Sequence, residues 1–222
     1  MANTTVFTKS LGAASATSIA ASQAASAGTP LTLTTATGVT IDTATASNTA
    51  IGRRVLITST SGSETASVTI TGTNASGSII SETDTFSGSS TTLQSTFDYV
   101  TVTSVVPSGT IAGSLSAGTN GVGSSPWQTM NWQGFSPMNI SVAVELVSGS
   151  AGYTVEYTFD DPNKLLAGAT YPLNLSDLSP TALVAASATK DGLFNFPLVA
   201  LRLTVNSGTG VLRTRIVQAG IG

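Results

Sequence analysis

The sequence contains neither cysteine nor histidine. Ser-His-Asp and Cys-His catalysis, imidazole acid–base chemistry and metal ligation by thiolate or imidazole are therefore all excluded. The chain also has no disulfides, but its 222 residues are enough to bury a hydrophobic core without them. We expect a protein that is not an enzyme and that holds no cofactor and no metal.

Charge is scarce as well, because only 9% of the residues are Asp, Glu, Lys or Arg and the net charge is −3. No cluster of Lys and Arg is present that would neutralise a row of phosphates, which argues against nucleic-acid binding. Long hydrophobic runs are missing too, so we expect no membrane span. A surface with so little charge is weakly protected against association, which favours a homo-oligomer such as a trimer.

The abundant residues are Thr, Ser, Gly and Ala, and hydrophobic residues make up 41% of the chain. Thr, Val and Ile suit pleated, half-buried strands, and the Gly and Ser clusters between them suit turns. We therefore predict an all-β fold of two antiparallel β-sandwich or barrel-like domains with an extended N-terminal arm. The arm is residues 1–28, the first domain is 29–121 and the second is 122–222, with the Gly-rich run 117–126 as linker.

Period-2 alternation of apolar and polar residues predicts the strands. Val68 and Ile70 share one face of a strand over 66–71, and the turn 72–77 returns the chain as a hairpin with 78–86. Two further hairpins are predicted in the second domain, one of 138–147 with 153–159 and one of 199–205 with 211–217. A short helical turn is predicted within 181–188.

Two acidic pairs are candidates for chemistry. Glu145 and Glu156 could meet on one face of the predicted hairpin, and a carboxylate pair at the right separation cleaves glycosides. The favoured interpretation is structural, since cross-strand charge pairs with Arg202, Arg213 or Arg215 satisfy both carboxylates. Asp160 and Asp161 could donate oxygens to Ca²⁺, but the local sequence supplies too few ligands, and a capped turn is favoured.

The candidate subunit contacts are apolar residues of the arm, aromatic residues after the linker and arginines of the last strands. Aromatic side chains in such places pack at domain junctions and subunit contacts, and as an alternative they form a stacking platform for sugars. These candidates are Val6, Phe7, Leu11, Trp127, Trp132, Phe135, Arg202, Arg213 and Arg215.

Several segments resemble a group of virion structural proteins of tailed bacteriophages. In that group a V-T-I-T-G-T-(D/N)-A-x-G hairpin with a following S-E-T precedes a strand that starts with Phe. The matching segments here are Arg53–Thr58, Val68–Gly77, Ser81–Thr83, Phe97–Val105, Asn139–Pro162 and Arg213–Gly220.

The resemblance implies a structural protein of the virion. Within that class we favour a capsid decoration or cement protein, made in the cytoplasm of the host bacterium and bound to the outer capsid surface. Its partner would be the major capsid protein, and the arm would clamp adjacent subunits. A tail, collar or fibre component with tail proteins as partners is the alternative, and a carbohydrate-binding or adhesion module is a further one.

Overall fold

The computed structural model describes residues 3–35, 38–40, 51–131, 139–162 and 181–219. Within these ranges the regular elements are β-strands and one 3-10 turn, Thr181–Leu183, so the predicted all-β class is confirmed. None of these residues belongs to a helix that is long and apolar enough to cross a membrane. The strands, in chain order, are β1 (Asn3–Lys9), β2 (Ser15–Ala24), β3 (Val39–Thr40), β4 (Gly52–Ser59), β5 (Ser67–Thr73), β6 (Ile79–Thr85), β7 (Thr92–Tyr99), β8 (Thr101–Ser108), β9 (Ser114–Ser124), β10 (Gln128–Thr129), β11 (Asn139–Ser148), β12 (Ala151–Thr158), β13 (Lys190–Phe194), β14 (Ala200–Gly208) and β15 (Val211–Ala219).

The chain divides into two compact units. Unit 1 consists of Met1–Gly12, Ala44–Ile51 and Gly123–Gly222, and unit 2 consists of Ala13–Thr43 and Gly52–Val122. The division after Val122 lies one residue from the predicted domain boundary. The Gly-rich run 117–126 is nevertheless not a free linker, because most of it belongs to β9.

Unit 1 is built from antiparallel strands in two layers around one core. A four-stranded sheet has the order β1-β15-β11-β13, and β14 pairs with β12, with β10 and with the last two residues of β9. Alternate residues of β11, β12 and β14 are apolar and buried, which fills the space between the layers. The core residues on the main strands are Ile140, Val142, Val144, Tyr153, Val155, Tyr157, Phe194, Leu201, Leu203, Val205, Leu212 and Ile216.

Unit 2 has the same construction. One sheet has the order β3-β8-β5-β6, and the other contains β9, β4 and β7 in that order, with β2 paired to β9. Alternation in β4 and β5 is regular, so each of these strands places every second side chain in the core. The core residues are Ile19, Ala20, Leu31, Val55, Ile57, Val68, Ile70, Phe86, Leu93, Tyr99, Val102, Val105, Leu115 and Ala117.

The predicted hairpin of unit 2 is confirmed. β5 and β6 pair in register from Ser67↔Thr85 to Thr73↔Ile79. Asn74 closes the turn, because its Oδ1 accepts hydrogen bonds of 3.0 Å from the amides of Ser76 and Ser78. A side-chain acceptor of this kind is the physical reason why Asn favours turns.

The two predicted hairpins of the second domain are wrong, although their strands are correctly located. β11 pairs with β15 and β13, whereas β12 pairs with β14, so the loop between β11 and β12 crosses from one layer to the other. The loop between β14 and β15 crosses in the same way. Alternation identifies the buried face of a strand, but it does not identify the neighbouring strand.

The predicted N-terminal arm is also not a separate arm. Asn3–Lys9 forms β1, which pairs with β15 over seven consecutive positions of unit 1, and Ser15–Ala24 forms β2, which pairs with β9 in unit 2. An Ala/Ser/Thr-rich segment cannot build a core alone, but its backbone completes sheets whose cores are supplied by other strands. The predicted short helical turn is confirmed in shorter form by Thr181–Leu183.

Candidate functional site

The surface of the four-stranded sheet of unit 1 that points away from the core is the candidate functional site. We call it the outer sheet face. The alternation of the four strands places one set of side chains on it: Thr4, Val6, Thr8, Ser141, Ala143, Glu145, Asp191, Leu193, Arg213, Arg215 and Val217.

The strand register arranges these side chains in rows across the sheet. Val6 lies opposite Arg215, Arg215 opposite Ala143, and Ala143 opposite Asp191. Val217 and Leu193 lie in the neighbouring row, on either side of Ser141. Apolar and charged side chains therefore lie side by side on the outer surface of the four strands.

Apolar side chains are exposed at both margins of the outer sheet face. Val6 on β1 is 54% exposed, and Leu193 on β13 is 48% exposed. β1 and β13 are the outermost strands of this sheet among the residues that the structure describes. Exposed apolar side chains on an outermost strand favour association, because native sheets normally protect such edges with charge, bulges or a covering segment.

The charges in the middle of the face are shared among three residues. The Glu145 carboxylate lies 3.3 Å from Nη1 of Arg213 and 3.2 Å from Nη2 of Arg215. Both contacts are cross-strand, and all three side chains are solvent-accessible, so each pair contributes little to stability. The predicted pairing of Glu145 with the arginines is confirmed, and the face has no large excess of one charge.

A shallow groove of about 310 Å³ runs along β11 between β13 and β15. Small residues line the groove, namely Ser141 and Ala143 of β11 and Gly192 of β13, and the larger apolar side chains beside them are Leu193 and Val217. Small side chains between larger ones leave this depression. Its size and lining suit one apolar side chain of a partner protein.

The predicted contact residues divide between the outer sheet face and the interior. Val6, Arg213 and Arg215 lie together on the face. Phe7 points to the other side of β1 and packs against the core of unit 1, and Leu11, only 2% exposed, belongs to that core. Trp132 and Phe135 lie outside the described residues.

Trp127 and Arg202 form a cluster on the second layer of unit 1. The guanidinium carbon of Arg202 lies 4.8 Å from the centroid of the Trp127 ring, and the same guanidinium forms an ion pair with Glu156. The side chains of Glu156 and Arg202 are largely buried. The second predicted charge pair is thus confirmed, and one surface of the Trp127 ring is occupied by Arg202.

The two glutamates considered for chemistry, Glu145 and Glu156, are not brought together. Glu145 belongs to β11 and Glu156 to β12, and these strands lie in different layers, each carboxylate with its own arginine partner. Asp160 follows β12 in a turn in which its amide donates a 3.0 Å hydrogen bond to Thr158 Oγ1. In the described ranges no group of three or more His, Cys, Asp or Glu side chains is placed to hold a metal ion.

Unit 2 brings together two of the segments that carry the resemblance to virion proteins. The Glu82 carboxylate of Ser81–Thr83 accepts hydrogen bonds from the Thr96 amide at 2.8 Å and the Phe97 amide at 3.3 Å. The S-E-T segment of β6 is therefore linked to the start of the Phe97–Val105 segment. The sequence alone does not predict this contact, because the two segments are separated along the chain.

Comparison with models of protein families, with curated proteins and with solved structures finds no match to this chain.

Leu193 is the functional candidate that sequence reasoning missed. The sequence analysis predicts no strand over Lys190–Phe194, so it does not predict that Leu193 and Phe194 point to opposite sides of one. The run K-D-G-L-F has no polar-apolar alternation, so local sequence carries no signal for its orientation, and only the pairing of β13 with β11 places Leu193 and Phe194 on opposite sides.

Proposed function

We propose that the chain is a structural, non-enzymatic protein of a tailed-bacteriophage virion, and that it acts as a capsid decoration or cement protein. It binds the major capsid protein from outside and stabilises the assembled shell, because it binds the assembled state in preference to free subunits. The observation that carries the proposal is the outer sheet face of unit 1, with its exposed Val6 and Leu193 and its shallow groove.

The chemistry of this face supports binding to a protein surface. Its apolar area provides the driving force for association, at roughly 25 cal/mol per Å² removed from water. The charges of Glu145, Arg213 and Arg215 are paired with one another, so these three remain satisfied when the face is covered. Binding to a nucleic acid or a strongly charged ligand would instead require a surplus of one charge.

The outermost strands add a second mode of contact. The backbones of β1 and β13 border the described part of the four-stranded sheet, and an extended segment of a neighbouring subunit can pair with either one. This mode replaces the arm clamp expected from the sequence, because residues 3–9 are already paired with β15.

Co-sedimentation tests the proposal. Purified protein is mixed with expanded, DNA-free capsids and, separately, with isolated tails of the same phage. We expect saturable binding to capsids. Binding to tails alone would replace the cement role by a tail, collar or fibre role, and binding to neither would overturn a role on the virion surface.

Point variants locate the contact without removing a strand. Leu193→Asp and Val6→Asp introduce a carboxylate into the apolar margins of the outer sheet face, and we expect each to weaken capsid binding at least tenfold. Ile79→Asp is the matched control, since Ile79 is 68% exposed but belongs to unit 2. Full binding by Leu193→Asp and Val6→Asp would contradict the assignment of this face.

A further inference from the structure

The outermost strands of the two sheets of unit 2 are connected through the acidic residue Glu82 of β6, which together with Asp84 of the same strand we call the carboxylate latch. β6 is the outermost strand of one sheet and β7 the outermost strand of the other, within the described residues. The Glu82 side chain extends from β6 to β7 and accepts hydrogen bonds from the amides of Thr96 and Phe97. These bonds join the two layers along one side of the sandwich.

The amides that Glu82 binds are available because β7 bulges at this point. In the pairing of β4 with β7, Arg54 lies opposite Asp98 and Leu56 lies opposite Gln94, so three residues of β7 face the single residue Val55. A bulge removes amides from the regular ladder and leaves them in need of acceptors.

Ser95 secures the other side of the bulge. Its hydroxyl accepts a 2.8 Å hydrogen bond from the Val55 amide and donates a 2.8 Å hydrogen bond to the Phe97 carbonyl. The bulge is therefore held by a neutral side chain on the β4 side and by the Glu82 carboxylate on the β6 side.

Asp84 is the second carboxyl group of the latch. It follows Glu82 by two residues on β6, so both point to the same face of the strand. Oδ2 of Asp84 is buried, and among the described residues no donor reaches it. Two adjacent carboxylates cannot donate to one another unless one of them carries a proton.

The other neighbours of the pair are apolar or hardly ionise. Glu82 lies opposite Ile70 and Asp84 opposite Val68 on β5. The titratable neighbour on β7 is Tyr99, whose hydroxyl donates a 3.2 Å hydrogen bond to the Ile70 carbonyl. Burial, followed by the nearby Glu82, raises the pKa of Tyr99 far above its ordinary value, so it stays neutral.

We propose that Glu82 and Asp84 bind one proton between them, and that this proton closes the latch between β6 and the bulge of β7. Water supplies the proton, and Oδ2 of Asp84 carries it and donates a hydrogen bond to the Glu82 carboxylate. Glu82 stays ionised and keeps its bonds to the amides of Thr96 and Phe97. Loss of the proton leaves two carboxylates in contact and loosens this side of unit 2.

The electrostatics of the pair agree with this geometry. Burial raises the pKa of Glu82 above its ordinary value of 4.5, and the negative charge of Asp84 raises it further. The amides of Thr96 and Phe97 and the Tyr99 side chain lower it in part. Burial also raises the pKa of Asp84 above 3.8. Because folded-state values above the unfolded ones favour the protonated form, the latch strengthens as the pH falls through the raised values and weakens as the pH rises.

Hydrogen exchange of the intact protein tests the latch. We expect the protection of the Thr96 and Phe97 amides, corrected for the intrinsic rate, to increase as the pH falls from about 8 to the ordinary carboxyl values of 4.5 and 3.8, by a factor of about ten for each unit of raised pKa. The measurement uses the unaltered chain. Protection that stays constant or decreases as the pH falls over this range would overturn the proposal.

Asp84→Asn provides the decisive comparison, because its amide donates to Glu82 at every pH. We expect protection of the two amides to lose most of its pH dependence and to exceed that of the unaltered chain at about pH 8. Asp191→Asn, an exposed carboxyl of unit 1, is the control and should keep the original profile. An unchanged profile in Asp84→Asn would contradict the shared proton.

Discussion

Glu156 and Arg202 form an ion pair at directly opposed positions of β12 and β14, on the side of the sheet that faces away from the core of unit 1. Trp127 lies against the same guanidinium. The pair is largely buried, unlike the pairs that Glu145 forms with Arg213 and Arg215. Both clusters pair glutamate with arginine, but only the Glu156–Arg202 pair is largely buried. We therefore expect the loss of one partner to cost more stability in the buried pair.

Replacement of one member of the buried pair should strongly destabilise unit 1. We expect Glu156→Gln to lower the free energy of unfolding by about 3 kcal/mol, because Arg202 is left buried with an uncompensated charge. Urea unfolding followed by Trp fluorescence measures the change. Glu145→Gln is the matched control and should cost less than about 1 kcal/mol, since its pairs are exposed. Equal effects of the two substitutions would contradict this distinction.

We expect the carboxylate of Glu64 to stabilise the fold of unit 2. It is fully buried and accepts hydrogen bonds from Ser59 Oγ and from the amides of Thr65, Ala66 and Ala112, at 3.0 to 3.4 Å. We expect Glu64→Ala to destabilise unit 2 by about 2 kcal/mol or more, because several donors lose their acceptor. In thermal unfolding Glu64→Gln, which keeps one acceptor oxygen, should lie between Glu64→Ala and the unaltered chain.

Deletion of residues 1–9 should destabilise unit 1, since it removes β1 and exposes the backbone of β15. We expect a fall in Tm of about 4 °C or more and increased aggregation, both measurable by calorimetry and light scattering. Val6→Thr, an exposed substitution that keeps the backbone of β1, is the control and should leave Tm nearly unchanged. An unchanged Tm after the longer deletion would show that the segment behaves as a free arm.

Tyr153 should resist ionisation in the folded protein. Its hydroxyl donates a 2.7 Å hydrogen bond to the Ala188 carbonyl, and burial raises its pKa from 10.0 to about 12. The raised value means that its contribution to stability is complete below pH 10 and is lost as the pH rises towards 12. Ultraviolet titration checks this, because the difference between Tyr153→Phe and the unaltered chain should appear only near pH 12.

Substitution should strongly destabilise the protein at Phe194 and hardly affect its stability at Leu193, although the two residues are adjacent on β13. Phe194 is fully buried and packs edge-on against Tyr157 and Phe196, so Phe194→Ala should cost about 3 to 5 kcal/mol. Leu193→Ser should change stability by about 0.5 kcal/mol or less, because the side chain is exposed. Denaturant unfolding of both variants tests the assignment of Leu193 to the outer sheet face.

Much of unit 2 could be predicted from local sequence. The hairpin of β5 and β6 has strict alternation on β5 and a turn that contains Asn74, so its partners are close in sequence and its register follows from the turn. In unit 1, the sequence also predicts that Glu145 and Glu156 pair with arginines, since carboxylates and arginines alternate with apolar residues on its strands.

The sequence by itself determined the all-β class, the buried faces of the main strands and the inventory of chemical groups, because propensity, period-2 alternation and composition are local properties. Apart from the hairpin of β5 and β6, tertiary structure alone decided which strands pair. The short loops after β11 and after β14 cross between layers, and residues 3–9 pair with β15 more than two hundred positions away. These choices depend on how all strands share the core, and the outer sheet face and the contact of Glu82 with β7 exist only as their result.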